Sequence, residues 1–162
     1  MINRVRIARI FLMFLFDSNY TIIFIVITIS PMKDKDIPAV VEIENSSFKY
    51  PKPEAVFRED EHKYLVARDE DKVVGYIGIE KILDEEHIIN MAVHPAYRKQ
   101  GIGKRLMQHV LNDEDVFFLE VRVSNDSAKK IYEKYGFKVI SVRKGYYADG
   151  EDACVMRRIP GE

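Results

Sequence analysis

The sequence predicts an α/β domain in which a mixed, mostly antiparallel sheet of about six to seven strands carries helices on both faces. Short apolar runs rich in β-branched residues recur between turn signals, which is typical of strands. Helical patterns separate several of these runs, with capping residues at their starts and Gly or Pro at their ends. A chain of 162 residues is also long enough to bury one substantial core.

The composition favours a globular protein with no dominant charge. Charged residues make up 31% and hydrophobic residues 47%, and the formal net charge is −1. We therefore expect no nucleic-acid partner and no attraction to anionic membranes. Cys154 is the single cysteine and cannot form an internal disulfide, and no Cys/His spacing indicates a metal site. These features predict a cytoplasmic location and no metal.

An apolar and basic segment precedes the first clear strand. Residues 2–16 read INRVRIARIFLMFLF, which superficially resembles a signal peptide. The polar residues 17–19 interrupt the apolar stretch, although a membrane-spanning helix needs about 20 consecutive apolar residues. Small residues for a cleavage site are also missing. We interpret residues 1–21 as an extension that packs on the domain (22–162) or on a neighbour, with a membrane or export role as the alternative and dimerisation through its apolar face as a hypothesis.

The first half of the domain alternates strands and helices. The apolar run 22–29 predicts a strand, and Asp34 or Asp36 can cap the amphipathic helix that follows. The prolines of KYPKP end that helix, and a short helix is predicted near 53–59. HKYLVARDEDKVVGYIGIEKIL predicts a hairpin with the turn DEDK, and EEHIINMAV predicts the next strand.

The second half contains two helices and three strands. A glycine-containing loop opens a helix over 102–111 with one apolar face. Ser124 or Asn125 caps the second helix, which stops at Gly136 because glycine readily adopts the left-handed conformation of a helix exit. The strands are predicted at 116–123, about 137–144 and 152–159.

The loop YRKQGIGKRLM, residues 97–107, predicts an anion site. Glycines at 101 and 103 remove side chains from a basic turn, and free N–H groups at the start of a helix bind phosphate. A P-loop does not fit, because Arg105 occupies the position of the magnesium-binding hydroxyl. A dinucleotide fingerprint does not fit either, because Leu106 stands where the third glycine belongs.

The pattern Arg98-x-x-Gly101-x-Gly103 resembles the R/Q-x-x-G-x-G/A loop of the GCN5-related N-acetyltransferase (GNAT) superfamily. LEVRVSNDSAKKIYEKYGF resembles a segment shared by protein N-terminal acetyltransferases, both the ribosomal-protein (RimI-type) enzymes and the catalytic subunit of the N-terminal acetyltransferase A complex. YYADGEDA, with MRR close behind, is similar to the substrate loop of that subunit. The resemblance covers about residues 22–159 and implies the GNAT fold and transfer of an acetyl group from acetyl-CoA.

The resemblance also implies which residues hold acetyl-CoA. The backbone of the glycine-containing loop would wrap the pyrophosphate, and a strand N–H would polarise the thioester carbonyl. Asn125 matches an asparagine that bonds the pantetheine region, although a helix N-cap is an equally compatible role. The implied cofactor-binding residues are Met91, Ala92, Val93, Arg98, Lys99, Gln100, Gly101, Ile102, Gly103, Lys104 and Asn125.

Glu120 and Tyr132 are the implied catalytic pair. From the residues alone, Glu120 in the apolar strand VFFLEVRV either pairs with Arg122 or Arg143 or faces a cleft. The resemblance makes it the general base, acting through a water molecule. Tyr132 matches the tyrosine that protonates the departing sulfur, and its alternative role is a core aromatic, which Tyr135 fills more naturally.

Aromatic residues in two loops are the implied substrate contacts. Phe48 and Tyr50 in FKYPKP, and Tyr146 and Tyr147 in the late hairpin, would form two walls of a peptide groove, with a clasp over the core edge as the alternative. FKYPKP departs from the LPENY of the complex A subunit and is closer to the FPWS of the ribosomal-protein enzymes, which leaves the preferred N-terminal residue open. We expect protein or peptide N-termini as substrates, including ribosomal or nascent chains. The alternatives are acetylation of a lysine or small amine, and a non-catalytic acyl-CoA-binding module.

Overall fold

The computed structural model of the chain describes residues 8–14, 21–59 and 63–161, and for 8–14, 21–25 and 63 it describes the backbone. Its helices and strands follow the predicted order closely. They are β1 (Ala8–Phe14), β2 (Thr21–Pro31), α1 (Ile37–Ser47), α2 (Glu54–Arg58), β3 (Lys63–Asp69), β4 (Lys72–Ile82), β5 (Glu85–Val93), α3 (Ile102–Val110), β6 (Val116–Arg122), α4 (Asp126–Lys134), β7 (Lys138–Arg143) and β8 (Ala153–Arg158).

One mixed sheet contains all the strands of the described ranges, in the order β1-β2-β3-β4-β5-β6-β8-β7. Strands β5 and β6 are parallel, and the other neighbours pair antiparallel, which confirms the predicted sheet type. The sheet has eight strands rather than six to seven, because β1 pairs with β2 from Ala8↔Ile27 to Phe14↔Thr21. The sequence did not predict this strand, and residues 1–7 and 15–20 of the predicted extension lie outside the described residues.

Helices cover both faces of the sheet, as predicted. Helices α1 and α2 bury Ile37, Val40, Ile43 and Phe57 against one face. Helix α3 buries Leu106 and its neighbours against the other, where α4 also packs. Full burial of such an apolar side chain contributes about 1.5–3 kcal/mol. No helix within the described ranges is both long and apolar enough to cross a lipid bilayer.

The predicted helix boundaries hold, but the aspartate at the start of α1 does not cap the helix with its side chain. Asn125 caps α4, with its Oδ1 accepting from the Ala128 N–H at 3.1 Å, and Gly136 follows α4 with φ at 83°. Asp36 occupies the N-cap position of α1 but does not cap the helix with its side chain. Its carboxylate instead accepts from the Lys33 N–H at 2.8 Å and pairs with a strand arginine.

The sheet opens where β5 and β6 stop pairing. Their parallel register runs from Glu85↔Val116 to Ile88↔Leu119, and both strands continue beyond it. On the other side of β5 the register with β4 shifts, so that Ile89 is an extra residue in a β-bulge. A bulge bends its strand and increases the local twist. We call the resulting opening, between residues 89–93 of β5 and 120–122 of β6, the gap.

Candidate active site

One wall of the gap is the free edge of β5. The His94 N–H donates to the Val74 carbonyl of β4 at 2.9 Å. Backbone groups alternate in direction along a strand, so Ala92 also directs its groups toward β4, whereas Met91 and Val93 direct theirs into the gap. Of the three strand residues predicted to contact the cofactor, the structure therefore brings Met91 and Val93 to the gap and leaves Ala92 in the β4 ladder.

The glycine loop, residues 98–103, ends at an uncapped helix start. Gly101 is the N-cap of α3, adopts φ of 79° and provides no side-chain cap. A Cβ at Gly101 would meet nothing within 4 Å, and one at Gly103 would meet only Val93 Cγ2 at 3.8 Å. No side chain of the described residues caps the N–H groups at the start of α3, and uncapped N–H groups at a helix start are the arrangement that binds phosphate. The left-handed φ of Gly101 itself favours glycine, whereas Gly103 has neither such a φ nor a packing need, and its small size fits close approach by a pyrophosphate.

Two polar side chains of the glycine loop form hydrogen bonds that hold the loop in place, and two lysines are exposed. Arg98 donates from Nε to the Val93 carbonyl at 3.1 Å and from Nη2 to Ser47 Oγ at 3.0 Å, which ties the loop to β5 and to α1. Gln100 donates to the Ala96 carbonyl at 3.3 Å, and its Oε1 is buried with no partner in the part of the chain that is described. Lys99 and Lys104 are exposed and add positive charge beside the open N–H groups.

Glu120 lies on the face of β6 opposite α3 and α4. Burial alternates along β6, with Phe117, Leu119 and Val121 in the core and Glu120 partly exposed. Its Oε1 accepts from Arg143 Nη1 at 3.0 Å, and the two side chains are 25% and 56% exposed. The structure shows the pairing alternative, with Arg143 as the partner, and leaves the carboxylate partly exposed; that Glu120 faces a catalytic cleft stays a prediction. A pair this exposed contributes at most about 1 kcal/mol to stability.

Tyr132 and Tyr135 lie on or beside α4 and have different surroundings. Tyr132 packs against Phe137 with ring centroids 6.0 Å apart, and burial raises the pKa of Tyr132 to about 12. The phenol is therefore protonated at neutral pH and can serve as a proton donor. Tyr135 donates its hydroxyl to the Lys104 carbonyl at 3.0 Å, which fastens α4 to the start of α3. The predicted assignment of Tyr135 to a structural role agrees with this contact.

The loop between β7 and β8, residues 144–152, places two tyrosines beside Glu120. The Arg143 guanidinium lies 4.6 Å from the Tyr146 ring centroid, and the two tyrosine rings meet edge to face at 5.1 Å. Burial raises the pKa of Tyr147 to about 12, and the nearby Glu120 charge acts in the same direction. Tyr147 in turn contributes to the raised pKa of Tyr132. A chain of contacts thus joins Glu120 through Arg143 to Tyr146 and Tyr147.

The loop that carries Phe48 and Tyr50, residues 48–53, lies over the bulge of β5. Phe48 and Tyr50 are 37% and 50% exposed. The Lys52 N–H donates to Glu44 Oε1 at 2.9 Å, and Lys52 Nζ donates to the carbonyl of the bulge residue, Ile89, at 3.4 Å. The loop is therefore on the β5 side of Glu120, and the two late tyrosines are on the β8 side; that they form the walls of a peptide groove stays a prediction.

A buried polar network beneath this loop was missed by the sequence reasoning. Glu44 is 1% exposed and Tyr76 is fully buried, and the Tyr76 hydroxyl donates to Glu44 Oε2. Asn90 Nδ2 donates to the same carboxylate oxygen at 3.1 Å and to the Tyr76 hydroxyl at 2.8 Å. A signal was present, because Glu44 falls four residues after Val40 and therefore on the buried face of α1.

Comparisons with known proteins identify the family of the chain. Residues 60–139 match the model of an acetyltransferase (GNAT) domain. The [ribosomal protein bS18]-alanine N-acetyltransferase of Escherichia coli (strain K12) is 31% identical over 143 residues, which is 82% of this chain and 97% of that protein. The N-alpha-acetyltransferase of Sulfurisphaera tokodaii is 39% identical over 118 residues, covering 61% of this chain and 70% of that protein.

Solved structures show the same fold. The crystal structure of the ribosomal-protein-S18-alanine N-acetyltransferase from Escherichia coli has a TM-score of 0.77 at 31% identity, covering 84% of this chain and 95% of that one. Ard1 from Thermoplasma volcanium has a TM-score of 0.76 at 32% identity, covering 84% and 99%. The predicted fold and acetyl-CoA as cosubstrate are thereby confirmed. The chain belongs to the GNAT acetyltransferase family, in its branch of acetyl-CoA-dependent protein N-terminal acetyltransferases.

Proposed function

We propose that this protein acetylates the free α-amine of protein N-termini, with Glu120 as general base and Tyr132 as general acid. The observation that carries the proposal is the opening between β5 and β6, which has an uncapped helix start at one end and Glu120 beside Tyr147 at the other. Relatives named for alanine of ribosomal protein bS18 and for N-alpha acetylation support an N-terminal amine as the acceptor.

Acetyl-CoA would be held along the gap and would supply the acetyl group as an activated thioester. The N–H groups of Ile102, Gly103 and Lys104 would bind its pyrophosphate, with Lys99 adding charge. The backbone of Met91 and Val93 faces the gap, and an N–H there would stabilise negative charge on the carbonyl oxygen. Arg98 and Gln100 would act indirectly by shaping the loop, and the Asn125 side chain would cap α4 beside the pantetheine arm.

Glu120 removes the proton that the amine must lose. An α-amine has a pKa of about 7.7–8.0 against about 10.4 for lysine, so it is neutral far more often at pH 7. As the new N–C bond forms and the C–S bond breaks, the proton leaves nitrogen for the Glu120 carboxylate through a water molecule. This difference in basicity favours an N-terminal amine over a lysine side chain without any special pocket.

Tyr132 holds a proton for the departing sulfur. Because burial raises the pKa of Tyr132 to about 12, the phenol is a hydrogen-bond donor throughout the physiological range. It donates this proton to the thiolate that leaves, and it regains one from solvent after the product departs.

The substrate is a protein N-terminus that begins with a small residue such as alanine, on a ribosomal or nascent chain in the cytoplasm. Phe48 and Tyr50 would contact it from one side, and Tyr146 and Tyr147 from the other. These aromatic contacts make few charge demands, which suits recognition of only the first residues of a chain.

The test is acetylation of peptides by Glu120→Gln and Tyr132→Phe, followed by mass spectrometry. Each variant should lose about 10²–10⁴ in kcat, since this is the usual contribution of a general acid or base. The Kd for CoA should stay within about threefold, because the glycine loop is untouched. Glu133→Gln, which removes an exposed carboxylate elsewhere on α4, is the matched control and should remain fully active. Full activity of both test variants would exclude the mechanism.

The acceptor is tested by competition. A peptide beginning with alanine should outcompete the same peptide with a blocked N-terminus and an added lysine, and it should outcompete a polyamine. Preferential modification of the lysine peptide or of the polyamine would replace the proposed acceptor. Binding of acetyl-CoA without transfer to any of the three would indicate a non-catalytic binding module.

A further inference from the structure

Arg122 forms a bracket with the loop of residues 144–152. It is the last residue of β6, beside the gap. Its Nη1 donates to Glu151 Oε2 at 2.6 Å and to both oxygens of Asp149 at 3.0 and 3.1 Å. Its guanidinium also lies 4.0 Å from the centroid of the Tyr147 ring. One arginine thus binds two carboxylates and one aromatic ring of the same loop.

The bracket continues into the start of α4. Glu151 uses its second oxygen, Oε1, to accept from the Ser124 N–H at 3.0 Å. The Val123 N–H donates to the Asp152 carbonyl at 3.1 Å, and the Tyr147 N–H donates to the Glu151 carbonyl at 3.1 Å. The loop is consequently fixed to Val123 and Ser124 in the turn between β6 and α4, the two elements that carry the catalytic candidates.

The two carboxylates also decide which arginine pairs with Glu120. Glu120 and Arg122 are two residues apart on β6 and face the same side of the sheet. Asp149 and Glu151 occupy the guanidinium of Arg122, whereas Glu120 pairs with Arg143. The three charged groups form one network around the Arg122 guanidinium, so they fix the position of the loop as well as contributing to stability.

We propose that Arg122 is a positioning residue that fastens the loop of residues 144–152 and holds the Tyr147 ring against its own guanidinium, at the junction of β6 and α4, the elements that carry Glu120 and Tyr132. This inference rests on the proposed N-terminal acetyltransferase function and names a residue that acts on the same site through another side chain. The side-chain contacts of Arg122 described above all lie within the loop of residues 144–152, and none of them involves the glycine loop. Loss of Arg122 should therefore affect the acceptor peptide and leave acetyl-CoA binding intact.

The experiment compares Arg122→Met, Arg122→Lys, Asp149→Asn/Glu151→Gln and the triple variant Arg122→Met/Asp149→Asn/Glu151→Gln. For Arg122→Met, KM for the peptide should rise and kcat should fall, each about tenfold, with the Kd for acetyl-CoA unchanged. Lysine keeps the charge but not the two-carboxylate and ring geometry, so Arg122→Lys should recover only part of this loss. Arg58→Met removes an exposed arginine paired with Glu54 on α2, and it is the control that should behave as the wild type.

The additivity of the losses in activity distinguishes a positioning role from a general loss of stability. If the three side chains act as one bracket, the triple variant should be no more impaired than Arg122→Met. Hydrogen exchange should become faster at the Ser124 and Tyr147 N–H groups in Arg122→Met and stay slow in the core strands. A wild-type KM and kcat in Arg122→Met would overturn the inference, and so would fully additive losses. An inactive wild type would instead refute the proposed function, so the two failures are distinguishable.

Discussion

Replacing Tyr76 with phenylalanine removes one hydroxyl from the buried network beneath the loop of residues 48–53. That hydroxyl donates to Glu44 Oε2 and accepts from Asn90 Nδ2 at 2.8 Å. Tyr76 is fully buried and Glu44 is 1% exposed, so water cannot readily replace the lost partner. The ring itself stays, and with it the edge-to-face contact with Phe57 at 5.8 Å.

The expected cost follows from these contacts. A hydrogen bond to a carboxylate contributes about 1.5–3 kcal/mol, and deleting one partner of a buried pair adds a desolvation penalty. Glu44 keeps the Asn90 amide at 3.1 Å and the Lys52 N–H at 2.9 Å, which limits that penalty. We expect the free energy of unfolding to fall by about 2–3 kcal/mol. At about 2–4 °C per kcal/mol for a domain of this size, Tm should fall by about 4–12 °C.

Urea denaturation followed by circular dichroism measures this loss, and Tyr50→Phe is the matched control. Tyr50 is 50% exposed, so its hydroxyl should contribute less than about 0.5 kcal/mol. In a Glu44→Gln background, Tyr76→Phe should cost less, because the charge that the hydroxyl binds is already gone. A Tyr76→Phe protein within about 0.5 kcal/mol of the wild type would show that the network is not a stabilising unit.

Three further predictions concern two glycines and the pH dependence of catalysis. Gly78→Ala should lose about 1–3 kcal/mol of stability in urea denaturation, because a Cβ there would lie 2.6 Å from Tyr64 Cε1. Gly103→Ala should gain up to about 1 kcal/mol, as alanine does in a helix, whereas Gly103→Leu should fold and lose at least about tenfold in CoA affinity by calorimetry. Burial raises the pKa of Tyr132 to about 12, so the phenol keeps its proton at alkaline pH. We therefore expect kcat to rise with pH as the amine is deprotonated, with no decline in kcat at any pH up to about 10. A fall near pH 9 that disappears in Tyr132→Phe would contradict that protonation state.

The sequence allowed the helices and most strands to be predicted because their signals are local. Prolines after α1, the cap at Asn125 and the glycine exit at residue 136 each act within one turn of the chain. Strand β1 was not predicted, because ARIFLMF lacks alternation and has a single β-branched residue, Ile10, whereas the run that forms β2 is rich in β-branched residues. The predicted boundary between an N-terminal extension (1–21) and the domain (22–162) stays a prediction. The backbone of residues 8–14 is nevertheless part of the sheet.

The candidate site was predicted only in part for a related reason. Glu120, Tyr132 and the glycine loop were found through short motifs, which are contiguous in sequence. The bracket of Arg122 with Asp149 and Glu151 joins residues 27 and 29 positions apart, and its pairing depends on the register of β6 with β8. The choice of Arg143 rather than Arg122 as partner of Glu120 could not be made from the sequence, because both arginines are available in it.

The buried network and the active site depend on the same irregularity in β5. The bulge places Ile89 and Asn90 consecutively on the α1 face, where Ile89 accepts from Lys52 and Asn90 binds Glu44. Without the extra residue, every later side chain of β5 would change face and every later backbone group would change direction. Met91 and Val93 would then direct their N–H groups to β4 instead of the gap. The contacts of Glu44 therefore hold the register that exposes the edge of β5, so a variant that straightens the bulge should lose acetyl-CoA binding even where the protein still folds.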